Sequence, residues 1–289
     1  MSRPHTEFIQ SQALPWQPSP YGGRFEGTEM KVLSRDADTG AASLLVKYPA
    51  GFSREAPEYL TADEELFVLD GALTIDDRHY SEMCYGHLPA GYGRSSSESG
   101  VSGAVVLTFV SAEPETKPGE APAGLYDPAR LVGQVDVLNK PLSTDLRTLD
   151  VDQTDAMVES FSAFAHILFR EDPVTHDQTW LLSARPLWQG DVIEIHPVVE
   201  EMYLVAGDMA GERGLMKAGA YFWRPPGLRH GPFGSKTGNL MFFRTQGGPL
   251  RTEFEPGADV FTWDPAHRPV LPDELAAYGQ EAGEESVCW

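Results

Sequence analysis

Two glutamates and two histidines in the second half of the chain have a spacing that could support chemistry. Glu194 and His196 are separated by one residue, so on a β-strand their side chains point to the same face, and Glu200 follows after a turn. His230 comes after the strand-like sequence AYFWRPP. Carboxylates and imidazoles transfer protons and bind first-row metals. A Glu-x-His pair alone is more typical of a solvated strand face, so its meaning depends on the surrounding pattern.

The pattern around these residues occurs twice in the chain. The sequence EYLTADEELFVLDG (58–71) aligns with EIHPVVEEMYLVAG (194–207) at an offset of 136 residues. The same offset holds at three later positions: Pro89 with Pro225, Gly91 with Gly227, and Arg94 with His230. Such persistence indicates two copies of one supersecondary unit.

Both copies are predicted to be built from strands. Segments such as ELFVLDGALTI and EMYLVAGDM are short, rich in β-branched and aromatic residues, and bounded by Gly, Pro and Asp. We predict an all-β chain of two domains. The first spans 1–124 and ends in the linker-like sequence SAEPETKPGEAPAG, and the second spans 125–289.

The second copy resembles the two signatures of the cupin superfamily. The first signature is matched at Glu194, His196, Glu200 and Gly207, with Glu194 in place of the first histidine, and the second at Gly219, Pro225, Gly227 and His230. The resemblance covers nearly the whole chain as a bicupin. Its halves are similar to the metal-binding cupin domain of bacterial anti-sigma factors and to the cupin dioxygenases of hydroxyketones and diketones. The resemblance implies two tandem jelly-roll β-barrels.

In cupins these positions bind one divalent metal ion inside the barrel. The resemblance therefore implies Glu194, His196, Glu200 and His230 as metal ligands, and Fe²⁺, Mn²⁺ or Zn²⁺ suits such a carboxylate-rich set better than Cu⁺. Alternatively, Glu194 only hydrogen-bonds a metal-bound water, and the other three form a 2-His-1-carboxylate triad. In both arrangements Glu194 and Glu200 are the candidate catalytic residues.

The first copy departs from the metal-binding pattern. Glu58 and Glu64 are present, but Leu60 replaces the second histidine and Arg94 the last. We expect no transition metal there. Arg94 would instead form an ion pair with Glu58 or Glu64, or anchor an anionic ligand. The N-terminal domain would then contribute core, interface and stability.

Strand parity indicates which side chains surround the second site. Met202 faces inward if Glu200 does. The strand in AYFWRP leaves two alternatives, with inward pairs of Tyr221 and Trp223 or of Phe222 and Arg224. The candidate pocket residues are His166, Trp180, Met202, Tyr221 and Trp223.

Composition excludes several classes of partner. The 289 residues carry 22 basic and 43 acidic side chains, a net charge of −21, so nucleic acid and anionic membranes are not expected to bind. Only two cysteines, Cys84 and Cys288, are present, and MSRPHTEF has no secretory character, which favours the cytoplasm. No G-x-S-x-G, P-loop or dinucleotide motif occurs.

These observations favour a cytoplasmic, homodimeric metalloenzyme with a small-molecule substrate. The leading hypothesis is an oxygenase acting on a chelating ketone, enol or hydroxyketone. Two alternatives remain: a non-redox isomerase, lyase or cyclase that uses the same metal, and a small-molecule binding or sensor protein without catalysis.

Overall fold

The computed structural model describes residues 3–139, 164–255, 261–281, 283 and 287–289, and this part of the chain is almost entirely β. The prediction of an all-β chain is therefore confirmed. The strands are β1 (Thr6–Gln10), β2 (Gln17–Pro18), β3 (Glu29–Arg35), β4 (Ala42–Tyr48), β5 (Ser53–Leu60), β6 (Glu64–Ile75), β7 (Arg78–Ser81), β8 (Cys84–Leu88), β9 (Arg94–Val110), β10 (Thr116–Pro118), β11 (Val132–Asp136), β12 (Phe164–Glu171), β13 (Gln178–Ala184), β14 (Trp188–Gln189), β15 (Ile193–Ile195), β16 (Val199–Gly211), β17 (Gly214–Lys217), β18 (Ala220–Arg224), β19 (Arg229–His230), β20 (Gly234–Ser235), β21 (Asn239–Gln246) and β22 (Glu253–Glu255). Short 3₁₀ helices span Ser11–Ala13, Gly23–Phe25, Pro128–Arg130, Val137–Asn139 and Asp273–Tyr278.

The N-terminal unit comprises residues 1–3 and 14–140. Its sheet runs β11-β8-β6-β9-β4-β3-β2, with β5 paired to β9 and β10, and β7 paired to β6. Alternating apolar residues of β4, β6 and β9 fill its core, including Leu44, Val46, Leu66, Val68 and Val106. Burial of these side chains supplies most of the driving force for folding this unit.

The C-terminal unit comprises residues 4–13 and 141–289. Its main sheet runs β1-β18-β16-β21-β13-β12, and a three-stranded sheet runs β19-β15-β22. The core of this unit is rich in aromatic and methionine side chains: Phe8, Trp180, Met202, Met216, Phe222 and Phe243.

The units differ from the boundary predicted at residue 124 in two respects. Strand β11 pairs with β8, so the N-terminal unit extends past the Pro/Gly-rich segment. Strand β1 pairs antiparallel with β18, so residues 4–13 belong to the C-terminal unit. Composition marks where loops lie, but it does not identify which distant strand an isolated strand will pair with.

A glycine ends the first signature in both copies for the same steric reason. Gly71 and Gly207 have positive φ angles of 72° and 81°. A Cβ at Gly71 would lie 2.2 Å from the Gly103 carbonyl oxygen, and one at Gly207 would lie 1.9 Å from that of Gly238. Only glycine adopts such a conformation at so close an approach of two strands.

Candidate metal centre

Short strands bring Glu194 and His230 together. Glu194 lies on β15 and His230 on β19, and the two residues are directly opposite in this antiparallel pair. Side chains directly opposite each other share a face of the sheet. His196 follows β15, and Glu200 lies near the start of β16. The four residues of the signature therefore converge on one region of the C-terminal unit.

The donor atoms are close enough to share one ion. Glu194, His196 and His230 place ligand atoms within 4.8 Å of one another. Oε1 of Glu200 lies 3.6 Å from Nε2 of His196, and Oε2 lies 3.5 Å from Nε2 of His230. Oε2 of Glu194 is slightly farther from the same nitrogens, at 3.8 and 4.0 Å. Ligands about 2.1 Å from a tetrahedral metal lie about 3.4 Å apart, so small shifts would complete the shell.

Both imidazole rings are oriented for metal binding. Nδ1 of His196 donates to the carbonyl oxygen of Arg251 at 3.0 Å, and Nδ1 of His230 donates to that of Leu228 at 3.0 Å. Because a carbonyl only accepts, each Nδ1 carries the proton and each Nε2 presents a lone pair. The two Nε2 atoms are buried and make no hydrogen bond with the described part of the chain. This arrangement fits a metal ion bound between the rings.

Glu200 is fixed by an arginine that is itself fixed from the other side. Nη1 of Arg224 donates to Oε2 of Glu200 at 2.8 Å, Nε donates to Oε2 of Glu7 at 2.8 Å, and Nη2 donates to the other oxygen of Glu7. All three side chains are buried. Glu7 belongs to β1, next to β18 in the sheet. The first strand of the chain therefore supplies part of the support for a candidate ligand.

Electrostatics keep this buried group charged. Burial raises the pKa of Glu200, but His196, Arg224 and His230 outweigh that effect, and the net pKa is lowered. The pKa of Glu7 is also lowered, because Arg224 overcomes the cost of its burial. Burial is the main cause that lowers the pKa of His230 to about 3, and the positive charge of the nearby Arg224 acts in the same direction. The ring of His230 is therefore neutral near pH 7, as a metal ligand requires.

Glu194 differs from Glu200 in its environment. Its side chain is 29% exposed, against 8% for Glu200. Arg224 donates to Glu200 at 2.8 Å, whereas Oε2 of Glu194 lies 3.8 and 4.0 Å from the Nε2 atoms of His196 and His230. Burial in the site raises the pKa of Glu194, and Glu200 raises it further, against the opposing effect of His196. Glu194 is thus the less constrained and more basic of the two carboxylates.

Glu194, His196 and Glu200 of the donor cluster line a cavity of about 90 Å³ in the C-terminal unit. Aromatic rings form much of that wall: Phe164, Trp180, Trp188, Phe222, Phe233 and Phe243. Trp180 stacks on Phe243 with ring centroids 5.3 Å apart, and Trp188 packs edge-on against Phe164. The indole Nε1 atoms of both tryptophans are buried and make no hydrogen bond with the described residues. The cavity therefore combines an apolar surface with two N–H donors.

The structure decides between the two alternatives for β18. Arg224 is the register partner of Glu200, so both side chains face the same side of the sheet. Phe222 and Arg224 line the cavity. Tyr221 and Trp223, which we expected in the pocket, lie on the opposite face, where the Tyr221 hydroxyl donates to Glu201 at 2.5 Å. The register between β16 and β18 sets this parity, and the sequence of β18 alone does not reveal it.

Of the other three residues expected in the pocket, one lines the cavity and two do not. Trp180 lines the cavity. Met202 is fully buried in the core beside Phe222 and Phe243, rather than in the cavity wall. His166 is buried opposite Leu182 in the β12–β13 pair and is also not part of the wall. Met202 and His166 are therefore buried in the unit and do not contact the cavity.

In the first copy, an arginine occupies the place of one metal ligand, and arginines pair with both glutamates. Nη1 of Arg94 donates to Oε2 of Glu64 at 2.8 Å, and Nε of Arg54 donates to Oε2 of Glu58 at 2.7 Å. Leu60 is buried in the core. Within residues 3–139, no three His, Cys, Asp or Glu side chains form a group that could hold a metal. Of the partners proposed for Arg94, the structure selects Glu64.

The described residues form a jelly-roll β fold of the cupin type, and they contain a His/Glu cluster that could hold a metal ion. The chain belongs to the family described as "Domain of unknown function (DUF4437)", whose model matches residues 8–250. No protein of curated function matches the sequence. None of the helices in the described residues is long and apolar enough to cross a membrane.

Solved structures share the fold at low sequence identity. A candidate dioxygenase from Nostoc punctiforme is 18% identical, with a TM-score of 0.73 over 90% of this chain and 92% of that one. A salicylate 1,2-dioxygenase variant from Pseudoaminobacter salicylatoxidans is 11% identical, with a TM-score of 0.52 over 76% of each chain. An oxalate decarboxylase variant from Bacillus subtilis is 12% identical, with a TM-score of 0.50 over 86% of this chain and 78% of that one.

Proposed function

We propose that this chain is a metal-dependent oxygenase acting on a small ketone, enol or hydroxyketone that chelates the metal. One observation carries the proposal: two imidazole Nε2 atoms and two carboxylates converge, and three of the four residues, Glu194, His196 and Glu200, line a largely apolar cavity. His196, Glu200 and His230 hold the ion in this proposal. When bound, an ion such as Fe²⁺ supplies Lewis acidity toward the substrate oxygens and reactivity toward dioxygen.

Glu194 acts as the general base in this proposal. Its carboxylate is the freer of the two, its pKa is raised, and it lies beside both histidines. A base with a raised pKa is better matched to proton transfer near neutral pH. Glu194 would take the proton that a ketone or hydroxyketone loses when it becomes an enolate.

Glu7 and Arg224 position Glu200 without contacting the reacting atoms. Arg224 uses its Nη1 on Glu200 and its other edge on Glu7, so the Glu200 carboxylate cannot rotate freely. Ligand affinity and reactivity in metal sites depend on such supporting hydrogen bonds.

The cavity sets the size of the substrate and the groups that would surround it. Its small volume, about 90 Å³, favours a small substrate over a large one. In this proposal the aromatic wall limits the access of water to the reacting carbon. The Nε1 groups of Trp180 and Trp188 are available to donate to a substrate oxygen.

The reaction balances without an external reductant. Dioxygen is the oxidant, a carbon–carbon bond next to the carbonyl group breaks, and both oxygen atoms remain in the two products. A hydroxyketone would yield two carboxylic acids. The fold shared with a candidate dioxygenase from Nostoc punctiforme and with salicylate 1,2-dioxygenase supports an oxygenase, and the fold shared with oxalate decarboxylase keeps a lyase as the runner-up.

The test is oxygen uptake by protein reconstituted with Fe²⁺ under anaerobic conditions. Admission of air to a mixture with small hydroxyketones and diketones should consume one O₂ per substrate lost. Glu200→Ala should abolish uptake, and Glu255→Gln, a surface substitution in the same unit, should not. Equal turnover without oxygen and with Zn²⁺ would replace the oxygenase by an isomerase or lyase. Ligand-dependent thermal stabilisation without turnover would indicate a binding protein.

A further inference from the structure

A carboxylate outside the donor cluster holds the chain immediately after His230. Glu212 lies in the turn between β16 and β17, and its Oε2 accepts a hydrogen bond from the backbone N–H of Gly231 at 3.1 Å. The turn is itself held by a later segment, because the backbone N–H of Arg268 donates to the carbonyl oxygen of Arg213 at 2.8 Å. Glu212 therefore connects a fixed turn to the segment that carries a candidate metal ligand.

The same connection occurs in the first copy. Asp76 corresponds to Glu212 at the offset of 136 residues, and it lies in the equivalent turn, between β6 and β7. Ser95, the counterpart of Gly231, donates its backbone N–H to Oδ1 of Asp76 at 2.7 Å. In both copies a carboxylate in the turn therefore binds the residue that follows the last position of the second signature.

The two copies differ in what else holds that last position. Arg94 begins β9, a strand of 17 residues, whereas His230 ends β19, which has only two residues. Gly231 has a positive φ of 98°, so the backbone is no longer extended directly after the histidine. Nδ1 of His230 donates to the carbonyl oxygen of Leu228, which belongs to the same short segment. Few ladder hydrogen bonds hold this segment, so the contact from Glu212 replaces a restraint that a long strand gives to Arg94.

Glu212 also lies close to other groups of the centre. Burial raises the pKa of Glu212, against the opposing positive charge of Arg224. Burial is likewise the main cause that raises the pKa of Glu194, and the negative charge of Glu212 is among the effects that act in the same direction. Glu212 is therefore near enough to the donor cluster for its position to matter there.

We propose that Glu212 is a positioning residue for His230: it fixes the backbone at Gly231, so that Nε2 of the histidine stays directed toward the metal. This inference rests on the proposed function, because His230 is one of the ligands in that proposal. Glu212 contacts neither the ion nor the substrate. Removal of such an outer contact in a metal site typically lowers metal affinity about 10- to 100-fold.

The test measures the affinity of the full-length protein for Zn²⁺ by competition with a coloured chelator, which requires neither substrate nor turnover. Glu212→Ala should weaken Zn²⁺ binding about tenfold or more. Glu212→Gln should restore most of the lost affinity, because its amide oxygen accepts the same N–H without the charge. Glu212→Asp keeps the charge but is one methylene shorter, and it should weaken binding as the alanine variant does. The ligand-field absorption of bound Co²⁺ should change in Glu212→Ala and Glu212→Asp and be retained in Glu212→Gln.

Asp76→Ala is the matched control, because it removes the same contact in the copy without the metal-binding histidines. It should lower the melting temperature and leave the affinity for Zn²⁺ unchanged. Full affinity in Glu212→Ala or Glu212→Asp would overturn the inference, as would equal weakening by Glu212→Gln or by Asp76→Ala, and the metal centre would stand in each case. Failure of the unmodified protein to bind Zn²⁺ would instead overturn the metal centre and this inference together.

Discussion

Arg224 donates to Glu200 at 2.8 Å while its opposite edge is held by Glu7, a residue 217 positions away in the sequence. A candidate metal ligand therefore depends on the first strand of the chain. The three side chains are buried and carry two negative charges and one positive charge. A divalent ion bound at Glu200 would change the summed charge of these groups from −1 to +1. The carboxylate of the neighbouring Glu194 would cancel that positive charge.

The first prediction concerns the stability contributed by Arg224. Arg224→Met should lower the free energy of unfolding by about 3–5 kcal/mol, because it leaves Glu7 and Glu200 buried without a cation. Urea unfolding measures the change. Arg229→Met removes an exposed partner of Glu255 and should cost less than about 1 kcal/mol. Equal costs for the two variants would contradict the buried ion pair.

The second prediction concerns pH. The folded protein keeps His230 neutral with a pKa of about 3, whereas the unfolded chain takes up a proton below about pH 6.5. Acidification therefore favours the unfolded state, and the contribution of His230 to stability is lost as pH falls from about 6.5 toward 3. In chelator-treated protein this residue should add a slope of up to about 1.4 kcal/mol per pH unit. His230→Gln should remove that slope, and an unchanged pH profile would contradict the burial of a neutral ring.

The third prediction separates the roles of the two carboxylates. Glu194→Gln should lower turnover about 100-fold or more while the protein still binds metal, because it removes a base. Glu200→Gln should lower metal affinity about 10- to 100-fold. Metal titration and turnover are measured on the same preparations. If Glu194→Gln loses metal as completely as Glu200→Gln, Glu194 is a ligand and not the base.

The fourth prediction concerns the glycine of the first signature. Gly207→Ala should destabilise the protein by several kcal/mol, because its Cβ would lie 1.9 Å from the Gly238 carbonyl oxygen. Gly247 also has a positive φ, at 96°, but nothing lies within 4 Å of the position that a Cβ would take there, so Gly247→Ala should cost only about 1–2 kcal/mol. Thermal unfolding of both variants gives the comparison. Similar melting temperatures would contradict the steric explanation.

The sequence predicts the convergence of Glu194, His196, Glu200 and His230, because signature spacing and a 136-residue repeat are local patterns. It does not predict the contact of Glu7 with Arg224, which depends on pairing between β1 and β18. The sequence also does not predict which face of β18 points toward the site, because apolar and aromatic side chains occur on both faces of that strand. Strand register determines those features, and register is set by distant partners.

The central claim is that one metal ion binds in the C-terminal unit. Elemental analysis of the purified protein, reconstituted and then desalted, measures this directly. We predict about one equivalent of metal per chain, nearly none in His196→Ala and His230→Ala, and full occupancy in Arg94→Ala and Glu58→Ala. Two equivalents in the unmodified protein, or full occupancy in the two histidine variants, would contradict the account.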